Sequence, residues 1–155
     1  SDPAYMNGDY TSPPVWGLER AYVMLVTMPR DPLQQLKQYP TRDAAEKFAD
    51  DYMERQLRSI DANDFLFQFE ASRDYDPSAR LELITAPVLA INSADDLVNP
   101  PELGLMEKLM PRVKNVRFVM IPISDQTRGH GTHSLPAVWG SYLAEFLKQV
   151  EPRGR

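Results

Sequence analysis

The sequence predicts an α/β fold with a helical first half and a strand–helix–strand–helix second half. Three observations carry the prediction. Two short, continuous apolar runs, "APVLAINS" (86–93) and "NVRFVMIPIS" (115–124), have the length and composition of strands buried on both faces. Each is followed by a stretch with helical spacing of apolar residues. Before residue 80, Pro and Asp divide the chain into helical segments, and nothing there reads as strand.

Taken in order, the first helix falls in "SPPVWGLERAYVMLVTMP", with Ser12 as its N-cap, prolines behind it, and Val15, Leu18, Val23 and Leu25 as its apolar positions. "TRDAAEKFADDYMERQLRSI" follows. Thr41 caps it, and Ala44, Phe48, Tyr52 and Leu57 lie near one face. "DANDFLFQFEASRDYD" starts on Asp61 as cap. After the first strand, "PPELGLMEKLMPRV" reads as one amphipathic helix opened by proline. After the second, "SLPAVWGSYLAEFLKQV" reads as a closing helix capped by Ser134. A parallel strand pair with a helical crossover is the expected topology. Two parallel strands are too few for an independent sheet. The remaining strands are therefore expected in another polypeptide or another part of the gene product, and the opening "SDPAYMNGDY", without an initiator Met, agrees with that.

A chain of 155 residues, 43% hydrophobic, can bury the core of one ordinary domain. Its 17 basic and 22 acidic side chains leave a net charge of -5 with no basic block, so no nucleic-acid partner is expected. The absence of cysteine excludes disulfides, a thiol nucleophile and cysteine-ligated metal sites, and it fits the cytoplasm. The longest apolar run, "AYVMLVTM" (21–28), is too short to span a bilayer, and no secretory signal is present, so no membrane partner is expected either.

Both histidines of the chain, His130 and His133, sit in "TRGHGTHSLPAVW" (127–139), just beyond the second strand. The loop beyond the first strand, "SADDLVNPP", carries Asp95 and Asp96. In open α/β sheets, ligands bind beyond the carboxyl ends of the strands. A carboxylate and an imidazole leaving neighbouring strand ends form the pair in which the acid orients a general-base histidine and stabilises its imidazolium. The order, acid before histidine, is that of Ser…Asp…His hydrolases. The spacing of "HGTH" suits metal ligation on a helix, not in a glycine loop, and neither cysteine nor a third histidine completes a site, so no metal is expected. Ser1 has the residue type of an N-terminal nucleophile, but "SDPAYMNG" reads as a turn where such enzymes need a strand. Ser141, preceded by Gly140, falls inside the last helix.

The segment "DANDFLFQFEASRDYDPSARLELITAPVLAINSADDLVNPP" (61–101) resembles the homoserine O-acetyltransferase branch of the α/β-hydrolase superfamily. The Asp-Ala-Asn helix start, the aromatic-rich helix, the "APVLAI" strand and the Asp-bearing loop closed by Pro-Pro match in order, and the "GH" of Gly129 and His130 falls where that family carries its catalytic histidine. The resemblance implies the C-terminal portion of an α/β-hydrolase fold: a helical cap segment (1–80) followed by the last two parallel core strands and their helices (81–155). Carried over residue by residue, the acid is Asp96, four residues before Pro100, with Asp95 as the alternative. The histidine is His130, directly after the glycine, with His133 as the alternative. The G-x-S-x-G elbow and the oxyanion donors are implied in an N-terminal segment of the same fold, the partner this chain lacks. The implied chemistry is serine-dependent acyl transfer or ester hydrolysis through an acyl-enzyme, on a small acyl ester or acyl-CoA, without a cofactor; a homodimer is compatible with it. Two alternatives stand beside it: a homoserine O-acetyltransferase using acetyl-CoA, and a non-catalytic binding module on the same fold. Gly131 departs from the family, whose histidine is usually followed by an Asp that helps hold the substrate's amino group. A glycine offers an ammonium no charge, which disfavours homoserine.

Overall fold

A computed structural model describes residues 2–150. Ser1, and with it the N-terminal-nucleophile reading, lies outside the described residues. The chain forms two compact units. One gathers the residues up to Met28 together with Gln35–Asp76, and the other gathers Pro29–Gln34 with the residues from Pro77 onward.

The first unit is helical. A 3-10 turn, Pro3–Gly8, precedes α1 (Val15–Thr27). Ser12 does not cap α1, because the two prolines delay the helix to Val15 and leave Ser12 outside the cap position. Pro14 stands there instead, without a side-chain bond. The first turn of α1 takes its carboxylate from afar: Asp2 accepts from Ala4 N through Oδ1 (2.9 Å) and from Gly17 N through Oδ2 (2.8 Å). The buried stripe of α1 is Leu18, Tyr22 and Val26, at intervals of four; of the apolar positions read from sequence, Val15 and Val23 are exposed. The run is apolar nearly all round, so composition alone did not mark which side faces inward. Helix α2 (Pro32–Gln38), whose residues up to Gln34 belong to the second unit, was not anticipated. It is short, and its buried residue is the polar Gln34, so no apolar period announces it.

In α3 (Arg42–Ser59) Thr41 caps as expected, its Oγ1 accepting from Ala44 N at 3.3 Å. Phe48 stacks on Tyr39 at 4.3 Å between ring centroids and lies 6.1 Å from Tyr52, one turn on. Helix α4 (Ala62–Glu70) is capped by Asp61, whose Oδ1 accepts from the backbone N–H groups of Asn63 and Asp64. Phe65 of α4 packs on Tyr22 of α1 at 4.9 Å. No strand occurs among the described residues of this unit.

The second unit carries the sheet. Strands β1 (Val88–Ser93) and β2 (Val116–Ile121) pair in parallel over six residues, from Val88 opposite Val116 to Ser93 opposite Ile121. Both are a little shorter than expected, and both are half-buried except at their last residues, not buried on both faces. The pair forms a two-stranded sheet, with α6 (Pro136–Val150) against β1 and no further strand among the described residues. The expected single helix between the strands is broken into three short pieces. These are a 3-10 turn at Pro101–Leu103, α5 (Leu105–Leu109) and a second 3-10 turn at Met110–Arg112. Gly104, at φ 63°, ends the first piece in a left-handed conformation, and Pro111 removes a backbone donor from the last. Ser134 is not the cap of α6. Its hydroxyl donates to the Gly131 carbonyl (2.8 Å) and closes a 3-10 turn at Gly131–Ser134, and α6 starts on Pro136. Ser141 lies inside α6, as expected. No helix among the described residues is long and apolar enough to cross a membrane.

Candidate active site

The register of the parallel pair brings both strands to an end at one level, Ser93 beside Ile121. The two loops that leave these ends carry the chemistry. The first turns at once. The Asp96 N–H donates to the Ser93 carbonyl, and Asp96 Oδ1 accepts from the backbone N–H groups of Val98 (2.8 Å) and Asn99 (3.0 Å). One carboxylate oxygen is thereby committed to the turn. The other, Oδ2, accepts from His130 Nδ1 at 3.0 Å. The Asn99 side-chain amide approaches the same oxygen at 3.4 Å.

Asp96 is buried and His130 about one-third exposed, with side-chain exposures of 5% and 33%. Burial pushes the Asp96 carboxyl up. Hydrogen bonds from the Asn99 N–H, the His130 ring, the Val98 N–H and the Asn99 amide outweigh it and hold the group below the usual carboxylate range. With Nδ1–H directed at Asp96, the lone pair of His130 resides on Nε2. The ring lines a cavity of about 200 Å³ together with Ser93, Asp96, Asn99, His133 and Trp139.

The loop that presents His130 is bonded largely to itself. Thr127, fully buried, accepts from Ser124 N and donates to Ser124 O through its hydroxyl. Thr132 Oγ1 accepts from Arg128 N at 2.8 Å. Gly129 takes φ 62°, and a Cβ there would come within 2.7 Å of Asp31 N and 2.9 Å of Arg30 C. Only glycine fits, on both conformational and steric grounds.

The structure thus brings Asp96 and His130 together, and it gives Asp95 and His133 other positions. Asp95 Oδ2 accepts from Gly129 N at 3.1 Å, on the backbone before His130 and not on its ring. His133 Nδ1 donates to the His130 carbonyl, and its ring lies 4.8 Å from that of His130. Sequence reasoning missed Asn99 and Trp139. Asn99 follows Asp96 at the spacing of an Asx turn, a signal present in "DLVN". Trp139 donates from Nε1 to the His133 carbonyl (3.0 Å), a contact across six residues that no local pattern marks. No group of three or more His, Cys, Asp or Glu side chains able to hold a metal occurs among the described residues.

No protein-family model matches the sequence, and no curated protein matches it significantly. Solved structures do resemble it in fold. Esterase E22 superposes with a TM-score of 0.75 at 17% identity, over 94% of this chain and 46% of its own. The acetyl esterase MekB does so with 0.66 at 22%, over 95% and 46%. MGS-M2, an α/β hydrolase enzyme from a Medee basin deep-sea metagenome library, does so with 0.53 at 17%, over 94% and 55%. The chain spans about half the length of the solved structures it matches. Its fold is that of part of an α/β hydrolase. A helical segment followed by two parallel strands is the make-up expected of the C-terminal portion.

Proposed function

We infer that this chain supplies the acid and the histidine of a serine-type triad, in an enzyme that hydrolyses short acyl esters or transfers their acyl group. The observation that carries the reading is the 3.0 Å contact between His130 Nδ1 and Asp96 Oδ2 at the carboxyl ends of two parallel strands, with the ring facing a cavity. Likeness in fold to two esterases supports the substrate class.

The nucleophile comes from an N-terminal segment of the same fold, with residues 1–80 as cap and 81–155 as the end of the core. A serine hydroxyl brought to the cavity gives its proton to His130 Nε2 as its oxygen attacks the ester carbonyl. Asp96 stabilises the resulting imidazolium, which returns the proton to the departing alkoxide, so that an alcohol leaves and an acyl-serine remains. Water, or a second alcohol, repeats the two proton transfers in the same order and frees the serine. No step requires a cofactor. The absence of cysteine supports a cytoplasmic setting. Within the superfamily, residues 61–101 favour the homoserine O-acetyltransferase-like branch, whereas Gly131 offers no charge to an ammonium, so esters are the preferred substrates.

The test uses the full-length protein that contains this chain, with p-nitrophenyl acetate as substrate and acetyl-CoA-dependent homoserine acetylation as the comparison. His130→Ala and Asp96→Asn should each lower ester hydrolysis by at least about 10³-fold, with little further loss in the double variant. His133→Ala should stay within about tenfold of the parent. Activity lost in His133→Ala and kept in His130→Ala would reverse the roles of the two histidines. Full activity in every variant would show that Asp96 and His130 take no part in the chemistry, and none in the parent would favour the non-catalytic binding module. Homoserine acetylation faster than ester hydrolysis would restore the narrower transferase.

A further inference from the structure

We propose that Asp95 is the positioning residue of the site: a buried carboxylate on the acid's own strand end that sets where the His130 imidazole stands. This rests on the reading of His130 as the general base and goes beyond it, since no step of that mechanism uses Asp95.

A proton-transfer ring must be held within a fraction of an ångström of its working position, and its own hydrogen bond to the acid is seldom sufficient. Here the main chain just before the ring is gripped on both sides. The Gly129 N–H donates to Asp95 Oδ2 at 3.1 Å, and the Gly129 carbonyl accepts from Ser93 Oγ at 3.1 Å. Asp95 and Ser93 are 8% and 4% exposed, so neither bond competes with bulk water. Both partners belong to the end of β1 and its turn, the element that also carries Asp96. The distance from acid to imidazole is therefore set across adjacent residues of one strand end, and not through the whole loop from Ile121 to His130. Behind Gly129, the backbone of Arg30 and Asp31 occupies the place of a Cβ, so the loop cannot retreat from the grip.

The choice of a carboxylate is itself informative. Asp95 Oδ1 is buried and has no hydrogen-bond partner in the structure. Burying a half-satisfied carboxylate is costly, and a small apolar residue would serve a turn that needed only to be filled. What the carboxylate provides is a strong acceptor for a single N–H, the one preceding His130.

The experiment compares Asp95→Ala, Asp95→Asn and Ser93→Ala in the full-length protein, with histidine rings labelled with ¹⁵N and the His130 signal assigned by its loss in His130→Ala. Asparagine keeps an acceptor for Gly129 N–H and alanine does not. Asp95→Ala should lower kcat on p-nitrophenyl acetate by about 10- to 100-fold with KM little changed, and should weaken or remove the hydrogen-bonded His130 Nδ1–H resonance. Asp95→Asn should restore both to within about fivefold of the parent in rate, and Ser93→Ala should move both in the direction of alanine to a smaller extent. If Asp95→Ala fails to fold, Ser93→Ala carries the comparison. A variant that lowers only the melting temperature, with kcat and the His130 resonance intact, would show that Asp95 merely supports the fold. Asp95→Asn no more active than Asp95→Ala would overturn the proposal, because an acceptor for Gly129 N–H would then be present without effect. A parent without esterase activity would overturn the catalytic reading, and the His130 resonance would still decide whether Asp95 positions the ring.

Discussion

At the scale of the residue, Asp96 has two tasks, and each uses one oxygen. Oδ1 ties the turn through Val98 and Asn99, while Oδ2 holds the imidazole. The same bonds keep its carboxyl below the usual range against the opposing effect of burial. The consequence for stability follows from linkage. A carboxylate whose folded pKa is depressed adds stability that is present above its unfolded pKa, about 3.9, and is lost as pH falls through the lower folded value. Asp96→Asn should therefore flatten the fall of stability below about pH 4, besides lowering stability at neutral pH. Denaturant midpoints measured across that range check it; an unchanged acid slope would mean that Asp96 is not held ionised by these bonds. The meeting of Asp96 with His130 was legible from sequence because strand ends locate loops, and loops at the carboxyl edge of a parallel sheet converge. The contact made by Asp95 was not legible: two adjacent aspartates look alike in a sequence, and only the backbone turn shows that one meets a ring and the other a peptide N–H.

At the scale of the element, two glycines with nearly the same φ sit in opposite surroundings. Gly104, at 63°, ends the turn before α5, and a methyl group added there would meet nothing within 4 Å; Gly129, at 62°, would press one against the Asp31 backbone at 2.7 Å. Gly104→Ala should cost only the left-handed penalty, about 1–2 kcal/mol. Gly129→Ala adds overpacking against main chain and should cost about 2 kcal/mol or more, with loss of the His130 contact. Thermal unfolding of the two variants side by side tests this, and equal losses would show that the Pro29–Asp31 backbone gives way freely. The strands were legible because continuous apolar runs of that length have few other solutions. The helix between them was not, because its apolar spacing survives interruption. The period was right, but Gly104 and Pro111 divide it into pieces of three, five and three residues. In α1, hydrophobic residues on several sides left the buried stripe undefined until packing chose Leu18, Tyr22 and Val26.

At the scale of the whole molecule, the parallel pair is the weak point. Two strands with half-buried residues bury too little between them for an independent sheet, and parallel pairs in α/β folds are normally covered on both faces. Residues 1–155 expressed alone should show helical circular dichroism but a broad, weakly cooperative melt, with self-association in sedimentation. A sharp transition from a monomer would show that the pair and α6 suffice, and that the proposed N-terminal strands are not needed for folding. The presence of an α/β architecture was readable in the two apolar runs, and the two-stranded sheet in their number. The passage of Pro29–Gln34 into the company of the strands was not, since contact between residues some hundred positions apart leaves no trace in local pattern.

That passage has a consequence for any exchange of parts between proteins of this fold. A graft that replaces everything before residue 80 treats the helices as a detachable segment. It would also remove Pro29, whose carbonyl accepts from Gly131 N, and the Arg30–Asp31 backbone that stops Gly129 from backing away. The transplanted helices would fold and the recipient strands would pair in register, yet the histidine would stand on a loop with its rear support gone. A chimera that keeps its own residues 29–34, and accepts foreign sequence on either side of them, preserves that support.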